Sequence, residues 1–135
     1  MNNSRWPVRN DMSDPSPRIL LVEDHDDTLV VLTRLLRMSG YEVHACGTAK
    51  TARELAERGQ CDVLVADIGL PDGSGLDLMR DMGRRHGLRG IAMTGHGEHD
   101  ADTCVAAGFS RHLMKPVAFD DLLAAIESLG PKNRP

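Results

Sequence analysis

Two runs of four apolar residues, Ile19-Leu20-Leu21-Val22 and Val63-Leu64-Val65-Ala66, do more than any other feature to limit how this chain can fold. A strand that shows one face to water alternates polar and apolar residues, so an unbroken run of this length reads as a strand buried on both faces. Further strands are read at Tyr41 to Ala45, at Ile91-Ala92-Met93 and at His112-Leu113-Met114. Between the strands, apolar residues recur at helical spacing. Leu29, Leu32 and Leu36, with Leu35 beside them, run up to Gly40; Ala49, Ala52 and Ala56, with Leu55, are closed by Gly59. Leu76, Met79 and Met82 follow the turn LPDGSG, Ala101, Cys104, Val105 and Gly108 give a small-faced fourth helix, and Leu122, Ile126 and Leu129 a fifth. Five strand–helix units joined by right-handed crossovers predict a five-stranded parallel α/β sheet, doubly wound, with helices on both faces.

A chain of 135 residues has room for one domain of ordinary size. With two Phe, one Tyr and one Trp, its core must be filled by Leu, Val, Ile, Ala and Met. A net charge of -4, from 20 acidic and 16 basic residues, supplies no positive field for nucleic acid or anionic lipid. Cys46, Cys61 and Cys104 form no CxxC pair and read as reduced, buried residues of a cytosolic protein. Every apolar run stops at a charge well short of a membrane span, and the amino terminus lacks the apolar core of a signal peptide, so a cytoplasmic location is expected. Residues 1–17, carrying Pro7, Pro15 and Pro17, read as a flexible arm, 18–129 as the folded body and 130–135 as a tail. The initial Met is read as favouring a complete gene product.

In an open parallel sheet, chemistry gathers at the carboxyl edge of the strands. Glu23 and Asp24 follow the first strand, Asp67 the third, Thr94 the fourth and Lys115 the fifth. Taken singly, each has an ordinary structural explanation: an Asp at a strand end commonly caps a helix, a Thr closes a turn and a Lys is a solvated charge. The coincidence of three carboxylates, a hydroxyl and an amine, each directly after an apolar run, favours a shared site. Clustered carboxylates repel, and a hard divalent cation such as Mg2+ relieves the repulsion through oxygen ligands. Asp67 is then suited to act as a nucleophile toward phosphorus, with Lys115 balancing the charge of the transferring group and Thr94 donating to a phosphoryl oxygen.

The segments ILLVEDHDD, LVADIGLPDGSG, IAMTG and HLMKP, in this order, resemble the response regulator receiver domain of two-component signalling over residues 18–129. GFSRHLMKP is most similar to receivers fused behind hybrid histidine kinases, although no kinase domain is present. The resemblance implies the flavodoxin-like strand order 2-1-3-4-5. It also implies Asp67 as phosphoacceptor, and Mg2+ held by Glu23, Asp24, Asp67 and the carbonyl of Gly69. Thr94 matches the family's switch hydroxyl, Lys115 its phosphate-contacting lysine, and Pro116 a proline commonly preceded by a cis bond. The implied partners are a sensor histidine kinase or a histidine phosphotransfer protein, with a downstream protein target and a monomeric or weakly dimeric chain. Activity is limited to the chain's own phosphorylation and dephosphorylation, so it is not an enzyme in the ordinary sense. Two positions depart from the family pattern: His112 stands where a switch aromatic is usual, and Gly69 leaves no side chain two residues after Asp67.

Two other functional classes remain. An aspartate-nucleophile phosphohydrolase needs an acid near the nucleophile, typically at the position of Gly69. A degenerate receiver acting as an adaptor would have no use for Glu23, Asp24, Asp67, Thr94 and Lys115 together. Of the six histidines, His96 and His99, with Glu98, are read as a solvated loop rather than a metal site. Pro71-Asp72-Gly73-Ser74-Gly75 carries the chain into the third helix and lacks the ending of a phosphate loop. Arg84, Arg85 and Arg89 are read as solvated surface, and Phe109 as core.

Overall fold

The computed structural model describes residues 16–95 and 101–130. Most of the expected arm, nearly all of the tail and the His96, Glu98 and His99 segment lie outside the described residues. Five strands, β1 (Ile19–Val22), β2 (Val43–Cys46), β3 (Val63–Asp67), β4 (Arg89–Thr94) and β5 (Arg111–Met114), form one parallel sheet in the order β2-β1-β3-β4-β5. The intervening and final helices are α1 (Asp26–Met38), α2 (Ala49–Glu57), α3 (Gly75–His86), α4 (Ala101–Ala107) and α5 (Phe119–Ser128).

Successive strand residues point to opposite faces, and both faces are covered. Leu20, Val22, Leu64, Ala66 and Ala92 pack in one cluster with Ala52 of α2, Met79 of α3 and Cys104 of α4. Ile19, Leu21, Val63, Val65 and Ile91 pack in the other with Leu36 of α1 and Ile126 of α5. The unbroken apolar runs thus follow from burial on two sides, each buried Val, Leu or Ile stabilising the fold by about 1.5–3 kcal/mol. Phe109 belongs to the first cluster and is 2% exposed.

The helices begin and end on local chemistry. Thr48 and Ser74 cap α2 and α3 by accepting from the amides of Thr51 and Leu76. His25 caps α1 through its ring, accepting from Thr28 N, and Asp26 and Asp27 follow in the positive first turn. The left-handed Gly87 ends α3.

The second strand starts at Val43 rather than Tyr41, because the Tyr41 amide still donates to Leu36 O at the end of α1, although its side chain is buried. The turn after β3 is a small antiparallel ribbon, Gly69–Leu70 against Gly73–Ser74, rather than a plain connection. Asp72 at its tip accepts from the amides of Ala49 and Lys50, 2.8 and 3.0 Å away, and so ties the ribbon to the start of α2. The arginine stretch is exposed at Arg84 and Arg85, the latter pairing at the surface with Glu57 and Asp81. The expectation of solvated surface is corrected at Arg89, which is half-buried in β4 with its guanidinium on Leu129 O because β4 begins at that residue. All three cysteines are buried and none forms a disulfide, and burial pushes the Cys46 and Cys61 thiols up to about 11, leaving these two as inert thiols. Among the described residues no helix is long and apolar enough to cross a membrane.

Candidate active site

The carboxyl edge of the central strands brings together the residues that the sequence singled out. Glu23 follows β1 and is fully buried, while Asp24 beside it is exposed. Asp67 closes β3 at 5% exposure, and Thr94 closes β4 with none. Lys115 follows β5, and its amide donates to Thr94 O at 2.7 Å, which fixes the strand end from which its side chain reaches back. The Lys115–Pro116 bond is cis.

Lys115 Nζ donates to Asp67 Oδ2 at 2.8 Å and lies 3.0 Å from Glu23 Oε1. The other carboxylate oxygens are also held: the amide of His25 donates to Glu23 Oε2 at 3.0 Å, and the amide of Gly69 to Asp67 Oδ1 at 3.3 Å. The sequence missed the part played by the His25 backbone, because any residue type supplies an amide. Gly75 is required behind the site: a Cβ there would overlap the Asp67 carbonyl oxygen, and its amide donates to Ile68 O at 2.7 Å.

Burial raises the Asp67 carboxyl to about 6 despite the opposing pull of Lys115, with Glu23 and Asp24 adding to the rise. Burial works against the Lys115 charge, but its hydrogen bond to Asp67 and its pairing with the Glu23 carboxylate outweigh burial and raise its proton affinity. Glu23, Asp24 and Asp67 each place an oxygen within 4.8 Å of the others, and no other group of three candidate ligands occurs among the described residues. Three carboxylates face one ammonium, so negative charge remains in excess, and the buried Glu23 Oε1 takes no directed hydrogen bond. This all-oxygen donor set fits a hard divalent cation. A cleft of about 760 Å³ opens beside these groups, walled by Thr28 and Val31 of α1 and by Pro116 and Val117.

His112, expected to be part of a switch, meets Thr94 directly: its Nε2 is 2.7 Å from the Thr94 hydroxyl oxygen. Gly69 lies beside Asp67 through its amide, as described above. His44 instead pairs with Glu42, and His86 sits at the end of α3, so neither joins this site.

The family pattern described as response regulator receiver domain matches residues 19–127. The aerobic respiration control sensor protein ArcB of Escherichia coli is 32% identical over 122 residues, a match covering 87% of this chain and 16% of ArcB. The chain therefore spans less than a fifth of that relative's length. A CheY-like response regulator receiver domain from Methanospirillum hungatei JF-1 superposes with a TM-score of 0.75 at 32% identity, covering 84% of this chain and 92% of that one. The Saccharomyces cerevisiae Ssk1 receiver domain, solved with the histidine phosphotransfer signaling protein Ypd1, superposes with a TM-score of 0.77, covering 86% and 90%. At 22% identity, that likeness concerns the fold alone.

Proposed function

We propose that this chain, which belongs to the response regulator receiver domain family, accepts a phosphoryl group on Asp67 from a histidine of a partner protein and thereby changes its affinity for other proteins. The observation that carries the reading is the reach of Lys115 Nζ to Asp67 Oδ2, 2.8 Å, at a rim where Glu23 and Asp24 also converge. In the transfer, a carboxylate oxygen of Asp67 bonds to phosphorus, the phosphorus–nitrogen bond of the partner's phosphohistidine breaks, and the imidazole leaves with the bonding electron pair. Lys115 exchanges its bond to the carboxylate for one to a phosphoryl oxygen, and Thr94 turns its hydroxyl to another.

Glu23, Asp24 and Asp67, with the carbonyl of Gly69, would hold Mg2+, which when bound neutralises charge on the transferring group. The partner is a sensor histidine kinase or a histidine phosphotransfer protein, and the setting is the cytoplasm. The Ssk1 receiver, which shares the fold, was solved with a protein of the second class. Gly69 offers no carboxyl group to protonate a leaving group, which disfavours the phosphohydrolase reading.

The test is incubation with Mg2+ and a small acyl phosphate, followed by intact mass. Wild type gains one phosphate and Asp67→Asn none. An adduct on Asp67→Asn would move the acceptor elsewhere, and an unmodified wild type would favour an adaptor.

A further inference from the structure

Thr94 and His112 lie on the same face of the sheet. His112 is in register with Ala92, and Thr94, two residues further along β4, projects to the same side as Ala92. The fully buried Thr94 hydroxyl meets the imidazole Nε2 at 2.7 Å, hydrogen-bond distance, with the donor set by the tautomer of the ring. We propose that His112 is a hydrogen-bond latch on Thr94: Nε2 accepts the hydroxyl hydrogen in the unphosphorylated chain, and the phosphoryl group on Asp67 must draw that hydrogen away. The inference rests on the reading of Asp67 as the phosphoacceptor.

A threonine hydroxyl has one hydrogen to donate, and the oxygens of a phosphoryl dianion can only accept. Imidazole and phosphoryl group therefore compete for a single donor. A benzene ring at position 112 could not compete, so the latch is a property of the imidazole rather than of ring size. It favours the unphosphorylated arrangement by one hydrogen bond that the phosphorylated arrangement lacks, and a ligand shifts a two-state equilibrium by just such a differential contact. His112 is thus a positioning residue acting through Thr94. The ring is only partly buried on β5, the edge strand of the sheet, so its release alters a surface that other proteins can reach.

The full chain, labelled with 15N, is studied at mildly alkaline pH, where an imidazole is uncharged. Imidazole nitrogen shifts are recorded with and without Mg2+ and beryllofluoride, a noncovalent phosphoryl mimic. In free wild type the ring carries its hydrogen on Nδ1, with Nε2 as acceptor. Beryllofluoride moves the Nε2 resonance in the same direction as Thr94→Val does in the free chain. His112→Phe, which keeps a ring but removes the acceptor, binds beryllofluoride roughly three- to tenfold more tightly, the effect of one neutral hydrogen bond. An Nε2-protonated ring in the free chain overturns the latch. So does an unmoved ring when the Asp67 amide responds, or a His112→Phe affinity no greater than that of wild type. If beryllofluoride leaves the Asp67 and Gly69 amides unchanged, the phosphoacceptor reading itself fails and the latch falls with it.

Discussion

Lys115 Nζ bridges Asp67 Oδ2 and Glu23 Oε1, 2.8 and 3.0 Å away, so a single ammonium holds two carboxylates that close two neighbouring strands. That one cation does not offset the burial of Asp67, whose carboxyl rises to about 6 from an ordinary 3.8. The folded chain therefore holds the Asp67 proton more tightly than the unfolded chain. Its stability falls as pH climbs from about 4 to about 6 and levels off above, by at most about 3 kcal/mol from this residue. Asp67→Asn removes the charge and should unfold at higher urea than wild type near neutral pH, with the gap closing toward about pH 4. Equal midpoints near neutral pH would show that the ionised carboxylate costs the free chain nothing.

Removing the bridging cation acts in the opposite sense at neutral pH. Lys115→Ala leaves Glu23 and Asp67 facing each other without compensation, and the carboxylates then take up protons more readily. The variant should lose about 1–2 kcal/mol near neutral pH, discounted for the partial exposure of Lys115, and recover as the solution is acidified. Phosphorylation by a small acyl phosphate should slow by on the order of a hundredfold, as when one preorganised donor to a developing charge is lost. A phosphorylation time course by intact mass decides it, and a rate within twofold of wild type would remove Lys115 from the reaction.

Asp24 differs from its neighbour in being exposed where Glu23 is buried. Replacing it by Ala should change folding stability by no more than about 0.5 kcal/mol. The same change removes a hard oxygen from the proposed cation site. Mg2+ affinity, followed by amide shifts near Asp67, should fall by at least roughly tenfold, since even outer-shell partners of a metal are worth that much. Equal Mg2+ titrations in the two proteins would exclude Asp24 as a ligand.

The rim of the site was legible because Glu23, Asp67, Thr94 and Lys115 each stand at or directly after the end of an apolar run, and sheet order alone collects such positions. Strand edges were less so. Tyr41 is apolar and buried, yet its amide belongs to the end of α1, and apolar patterning carries no information on where an amide donates. Position 112 was recognised as a departure, whereas its bond to Thr94 depends on the register of β5 against β4. Arg89 reads as one more charge in a basic stretch, and only the start of β4 at that residue turns it beneath Leu129. Asp72 was hidden most completely, because its partners lie 23 and 22 residues earlier in the chain.

Asp72 supplies a prediction opposite in sign to that for Asp67. Its carboxyl is held below the ordinary range by the amides of Ala49 and Lys50, which prefer the ionised form. A depressed carboxyl contributes stability that is present above the unfolded value and disappears as pH falls through the folded one. Asp72→Ala should therefore lower Tm near neutral pH and converge with wild type in acid, whereas Asp67→Asn should raise Tm near neutral pH and also converge in acid. Asp72→Asn keeps one acceptor oxygen and should fall between wild type and Asp72→Ala. Because Asp72 ties the ribbon carrying Gly69 to α2, its loss should also broaden or shift the Gly69 amide resonance, while the amides of β2 stay in place. Thermal unfolding of the three proteins across the acid range, with amide spectra near neutral pH, tests both parts. A Tm difference that persists unchanged in acid would mean that Asp72 acts through packing rather than through its charge on the start of α2.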